Sequence, residues 1–146
     1  MTMADYYILN EHNEPLLVSY EIYLRYNVGL MNSGKGVQHV ACDENDDFRL
    51  STVFLGLDHG IPGVDTAPVL FETMLFAKNE RLAEIDQECI RYYTWQQAET
   101  GHSLILDRLK EALLADAPRL KTHVAALKQF NQYLAKRLHA PTAVDE

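Results

Sequence analysis

Three polar constellations in this chain have residue types that can do chemistry. Asp58-His59 closes the apolar run from Ser51 to Leu57, and an imidazole beside a carboxylate is the raw material of a general base with its orienting acid. Neighbouring residues on a strand point to opposite faces, so Asp58 can orient His59 only where the strand has already ended. Gly60, Pro62 and Gly63 follow directly, and they favour a loop entry in which Asp58 bonds to nearby backbone. Glu72 sits inside the apolar run Leu70 to Phe76. A carboxylate there is desolvated, which raises its pKa and suits a general acid or a metal ligand, although exposure at one point of the strand or pairing with Arg49 or Arg91 is the favoured explanation. Glu99 and His102 stand three apart, so they share a helix face. The same spacing serves di-iron bundles, which need two such motifs and further carboxylates; one occurs here. A lone histidine on an apolar face is ordinarily a core group, and Gly101 beside it costs a helix about 1 kcal/mol relative to Ala, which points to a close neighbour.

His59, Glu72, Trp95 and His102 are therefore the candidate ligand-binding residues, for a small ligand or a metal. The tyrosines are the candidate interface. Tyr20, Tyr23, Tyr92 and Tyr93 stand out among the 8 tyrosines of the 146-residue chain, and Tyr and Trp combine an apolar body with a polar tip. No nucleophile elbow, Cys-x-x-Cys pair, dinucleotide fingerprint or zinc-ligand spacing occurs, so no cofactor and no catalytic residue is assigned. Asn32-Ser33-Gly34-Lys35-Gly36 lacks the spacing of a phosphate-binding loop and reads as a flexible connection.

These residues need elements to hold them. Tyr6 to Leu9 reads as a short strand, followed by a turn over Asn10 to Pro15. Ser19 caps a helix running to about Val28 and closed by Gly29, with Tyr20, Tyr23, Leu24 and Val28 on one face. Val37 to Cys42 is a strand, and Asp43-Glu44-Asn45-Asp46-Asp47 a solvated acidic turn. Arg49–Asp58 and Val69–Phe76 form a hairpin centred on Val64. That pairing sets Leu57 against Phe71, Val53 against Leu75, Phe54 against Met74 and Gly56 against Glu72. Both faces come out largely apolar, as in a strand covered on both sides: one face by helices, the other by a partner chain. Ala77 to Gln87 is an excursion or a short helix, and Cys89 to Tyr93 another strand. Thr94-Trp95-Gln96-Gln97 matches the capping box. It starts a helix that buries Ala98, His102, Ile105, Leu109 and Ala112 and ends near Asp116. Pro118 opens a second helix with Leu120, Val124, Leu127, Leu134 and Leu138 in a stripe. The expected fold class is α+β: a small, mostly antiparallel sheet with an N-terminal helix and a C-terminal helical hairpin over 94–139. Residues 1–140 make one domain, and 141–146 a frayed tail.

Composition narrows the function classes. Hydrophobic residues make up 47% of the chain, enough for a core. No apolar run reaches the roughly 18 residues needed to span a bilayer, and the N-terminus lacks the pattern of a secretory signal. Cys42 and Cys89 are too few for a disulfide framework and read as free thiols. The net charge of −8 opposes phosphate backbones and suits a basic partner, so direct nucleic-acid binding is not expected.

Three blocks carry a resemblance. They are Arg49-Leu50-Ser51-Thr52-Val53-Phe54-Leu55-Gly56-Leu57-Asp58-His59, Pro68-Val69-Leu70-Phe71-Glu72-Thr73-Met74-Leu75-Phe76, and Arg91-Tyr92-Tyr93-Thr94-Trp95-Gln96-Gln97-Ala98-Glu99-Thr100-Gly101-His102. In this order they resemble a group of small phage and prophage proteins, over about half the chain. The resemblance implies a mobile-element origin and a location in the host cytoplasm, and implies no chemistry. The segment Ala77 to Cys89 and the second C-terminal helix depart from the pattern, and that helix is a candidate surface for oligomerisation. The expectation is a phage-encoded accessory protein that binds a host or phage protein, a host defence component among the targets, and that forms a homodimer. A small-ligand or metal-binding protein (a nucleotide sponge or small hydrolase) around Glu72 and His102 is the alternative from another class. A virion or packaging component is the third.

Overall fold

The computed structural model describes residues 5–34, 36–115 and 117–138, with 117, 118 and 130–138 described by backbone alone. The fold is α+β. Strand β1, Tyr6–Leu9, pairs with β2, Pro15–Val18, in an antiparallel hairpin that leads into helix α1, Tyr20–Asn32. Four strands then form an antiparallel meander: β3, Gln38–Glu44; β4, Phe48–Phe54; β5, Phe71–Ala77; and β6, Cys89–Tyr92. A 3₁₀ turn over Glu80–Ile85 bridges β5 and β6. Helices α2, Trp95–Leu113, and α3, Ala117–Leu138, follow.

Local chemistry explains most of these boundaries. Ser19 Oγ accepts the Ile22 amide and starts α1, as a polar cap should. The helix runs through Gly29 to Asn32 rather than stopping at Val28. A glycine costs a helix about 1 kcal/mol, and here no turn chemistry competes until Ser33 and Gly34 (φ +82°). Thr94 and Gln97 form the expected capping box at the start of α2. Strand β2 was not expected; only four residues long and opened by a proline, it has the weak signal of an edge strand.

Strand alternation in β4 puts Phe48, Leu50, Thr52 and Phe54 on one face, against Ala77, Leu75, Thr73 and Phe71 of β5. This face carries the core. Ala98, His102, Ile105, Leu109 and Ala112 of α2 are all buried against it, as their spacing predicts. Leu120, Val124 and Leu127 of α3 join the same hydrophobic cluster; Leu134, Leu138 and the tail lie outside the described side chains. The apolar face of α2, and that of α3 as far as Leu127, thus contributes to the core.

The β4–β5 register corrects the expected pairing by three residues: Phe54 faces Phe71, Val53 faces Glu72 and Ser51 faces Met74. The physical reason is the loop. Its tip is at Ile61–Asp65, where Val64 and Asp65 donate to the Ile61 carbonyl and Gly63 takes φ +82°. Strand β4 ends early because Gly56 turns at φ +78°, and Leu57 bridges to Tyr6 instead of to β5. The second sheet face, Arg49, Ser51 and Val53 beside Glu72, Met74 and Phe76, is therefore mixed rather than uniformly apolar.

Candidate functional site

The longest buried polar network crosses the sheet in one line. Its outer end is Asp43, which belongs to β3 and not to an acidic turn; the turn itself is the Asn45 loop, whose side-chain oxygen accepts the Asp47 and Phe48 amides. Asp43 Oδ2 lies 2.7 Å from His102 Nε2. His102 Nδ1 lies 2.7 Å from Thr52 Oγ1, and Thr52 Oγ1 lies 2.5 Å from Thr73 Oγ1. The Tyr92 hydroxyl closes the line, donating to Thr73 Oγ1 at 2.9 Å. Burial pushes the Tyr92 phenol above its ordinary range, so it stays an O–H donor. Beyond it Thr73, Thr52, the two ring nitrogens of His102 and the Asp43 carboxylate each lie within hydrogen-bonding distance of the next, and each hydroxyl can both donate and accept. Each member is satisfied by the next.

The order hydroxyl, imidazole, carboxylate is that of a nucleophilic triad, but the polarity is inverted. In a working triad the hydroxyl faces the cleft. Here Thr52 is wholly buried, His102 is 5% exposed and the Asp43 carboxylate is 46% exposed. The network holds the fold and offers no accessible nucleophile.

Gly101 explains how Tyr92 reaches that position. A methyl group at Gly101 would collide with the Tyr92 hydroxyl and lie 2.5 Å from its Cε1 and Cζ. The glycine that costs α2 helix propensity is what lets the ring pack flat against it. Tyr92 has no exposed surface, so it is a core residue and not the interface residue expected from its sequence.

The four candidate ligand residues do not come together. Glu72 projects from the sheet face opposite His102, because Thr73, which faces His102 through Thr52, alternates with it. Its carboxylate takes the Arg91 Nε at 2.9 Å. It occupies the cross-strand row His39, Val53, Glu72, Arg91, at whose end His39 Nε2 is buried and has no hydrogen-bond partner among the described residues. Trp95 packs edge-on against Phe71, ring centroids 6.3 Å apart. His59 is exposed, its amide held by the Val69 carbonyl. Among the described residues no group of three or more His, Cys, Asp or Glu is placed to hold a metal ion. Burial and the neighbouring Glu72 push the Cys89 thiol up, away from the thiolate a nucleophile needs.

Three of the cavities among the described residues lie elsewhere, and none of the three is lined by His59, Glu72, Trp95 or His102. One of about 400 Å³ lies between the 3₁₀ turn and α3, with Arg81, Leu120 and Val124 in its wall. One of about 200 Å³ is lined by Tyr7, Tyr23 and Tyr26 beneath α1. The third, about 330 Å³, is acidic: Asp5, Tyr7, Asp58 and Asp65 line it, with Gly60 to Pro62 and Thr66 to Pro68. Its carboxylates are braced. Asp58 Oδ1 accepts the Gly60 and Val69 amides at 2.7 and 2.9 Å. Asp65 accepts the Ile61 amide at 2.7 Å and the Tyr93 hydroxyl at 2.9 Å. Burial, then Asp5 and Asp58, push the Tyr7 phenol up, and burial with the Asp65 bond does the same to Tyr93. Asp58 is thus a loop brace, as the simpler reading of Asp58-His59 has it. Asp5, Tyr7 and Asp65 were missed, and only their final proximity reveals them.

Fold and site together define an α+β protein, a four-stranded meander under two helices, with a buried polar relay running across its sheet. Comparison with protein-family models, with curated proteins and with solved structures returned no match. No helix among the described residues is long and apolar enough to cross a membrane.

Proposed function

We propose that this chain is a non-enzymatic accessory protein, of the phage type its sequence blocks resemble, that binds a host protein through a basic surface on that partner. The observation that carries the reading is the acidic cavity at the 58–69 loop, set beside two apolar side chains, Ile61 and Val64, that are 61% and 67% exposed. A carboxylate already held by backbone amides loses little freedom on meeting a Lys or Arg. Exposed apolar side chains beside it give the contact an anchor that charge alone lacks. The net charge of −8 speeds encounter with a basic partner. Host proteins whose groove accepts nucleic acid, defence components among them, have the complementary charge.

The test is affinity purification of the tagged chain from host cytosol, in low and high salt, beside Ile61→Glu/Val64→Glu and Asp5→Lys. The expected result is one protein recovered near stoichiometry, lost with the double variant and weakened by Asp5→Lys and by salt. Recovery of no such protein, or recovery indifferent to both variants, overturns the proposal.

A further inference from the structure

Helix α1 has two apolar stripes, and the structure uses one. Tyr23, Tyr26 and Leu30 turn inward, half-buried, over the tyrosine-lined cavity. The other stripe is Tyr20, Leu24, Val28 and Met31, between 43% and 69% exposed. No residue of α1 is buried. The stripe falls at i, i+4, i+8 and i+11, a nearly straight seam along the helix. Its first member is held in place, because the Tyr6 ring packs on Tyr20 with centroids 5.0 Å apart.

We propose that this seam is a homodimer interface in which α1 packs antiparallel against α1 of a second copy across a two-fold axis. The first argument is self-complementarity. An antiparallel pairing centred between Leu24 and Val28 sets Leu24 against Val28 of the partner subunit, and Tyr20 against Met31 of the partner subunit. Small meets large in the middle, and sulfur meets ring at both ends. An isologous contact of this kind closes at two copies. The second argument is charge. The chain has 21 acidic and 13 basic residues, yet between Pro15 and Gly34 it has one of each, Glu21 and Arg25, paired at 2.7 Å. The −8 is carried by the rest of the molecule. A neutral patch on an acidic protein fits another neutral patch, and its own copy supplies one, whereas a basic partner would be drawn elsewhere. The third argument is size. Four seam side chains, 43% to 69% exposed, offer on the order of 400 Å² per copy, about 800 Å² in total, the scale of a small, weak interface. This inference does not depend on the identity of the host partner; two copies would present two acidic cavities and bind a repeated or dimeric target with avidity.

Light scattering after size exclusion, and native mass spectrometry, test it on the full chain at micromolar concentration. The expected species is a dimer, shifted to monomer by Leu24→Glu, with dissociation raised at least about 100-fold and far-UV circular dichroism unchanged. Val28→Lys alone also gives monomer, while Leu24→Glu/Val28→Lys recovers dimer because each glutamate then faces a lysine across the axis. Val64→Glu, on the 58–69 loop, leaves the dimer intact. A monomeric wild-type chain, a dimer indifferent to Leu24→Glu, or failure of the double variant to recover dimer overturns the proposal.

Discussion

Gly101→Ala is the most informative single substitution in this protein, because two effects of known sign compete. Alanine in place of glycine in a helix interior stabilises by about 1 kcal/mol. Against that stands Tyr92, whose Cε1 and Cζ would lie 2.5 Å from the new methyl, where carbon–carbon contacts prefer about 3.5–4.0 Å. The ring must withdraw by roughly 1 Å, and it is enclosed on every side. Overpacking of this kind costs about 1–3 kcal/mol, and loosening the bond from Tyr92 to Thr73 adds about 1 kcal/mol. The steric term wins: Gly101→Ala should be less stable by about 1–3 kcal/mol in urea denaturation, with the melting temperature lower by roughly 3–10 °C. Tyr92→Phe removes the hydroxyl, the atom that collides most severely. The alanine should therefore cost less in that background, with a coupling of at least about 0.5–1 kcal/mol in the double-mutant cycle. A Gly101→Ala protein as stable as the parent would refute the packing argument. So would strict additivity in the cycle.

Two further outcomes follow from the relay. Burial raises the Tyr92 phenol above its ordinary 10.0, so the folded state holds the proton more tightly than the unfolded chain. Its contribution is complete below pH 10 and is lost as pH rises beyond it, by at most about 1.4 kcal/mol per pH unit. Stability measured from pH 9 to 11.5 should fall less steeply in Tyr92→Phe than in the parent, and equal slopes would contradict this. Along the relay the cost of substitution should grow inward. Thr52→Val takes one hydrogen-bond partner from Thr73 Oγ1 and the partner of His102 Nδ1, about 2–4 kcal/mol in all. Asp43→Asn costs under about 1 kcal/mol, because water reaches that end. Chemical denaturation of the two variants decides it, and equal losses would show that the relay is not the ordered line described.

Helical periodicity and capping were legible in the sequence because both are local. The capping box at Thr94, the buried stripe from Ala98 to Ala112 and the close approach implied by Gly101 all follow from spacing alone, and each is where the spacing puts it. The α+β class follows from the same local signals. What failed was non-local. Register in the β4–β5 hairpin depends on where the loop turns, and a loop with Gly60, Pro62 and Gly63 has several midpoints to choose from. For α1, periodicity states which residues share a face and is silent on whether anything covers it. Tyr20, Leu24 and Val28 do share a face, but Tyr23 turns inward and the shared face is bare. Asp43 was hidden by its acidic neighbours, and Thr52 and Thr73 by being ordinary strand residues.

The relay draws one side chain from each of five elements: Asp43 from β3, Thr52 from β4, Thr73 from β5, Tyr92 from β6 and His102 from α2. A one-residue slip of β4 or β5 would turn Thr52 or Thr73 to the other sheet face and break two bonds of the buried line. A buried polar group left without a partner costs about 1–3 kcal/mol, so a slip of either central strand costs about as much as a deleted core side chain. Apolar contacts between Phe48, Leu50, Leu75 and Ile90 oppose the same slip, because it would carry them off the core face. The polar line adds to the alignment of the sheet and α2 that packing sets. It also explains why the histidine and tyrosine that looked most like site residues are in the core. The proposed binding then falls to the elements that contribute no member to this line, the 58–69 loop and α1, where exposed apolar side chains and the braced carboxylates are found.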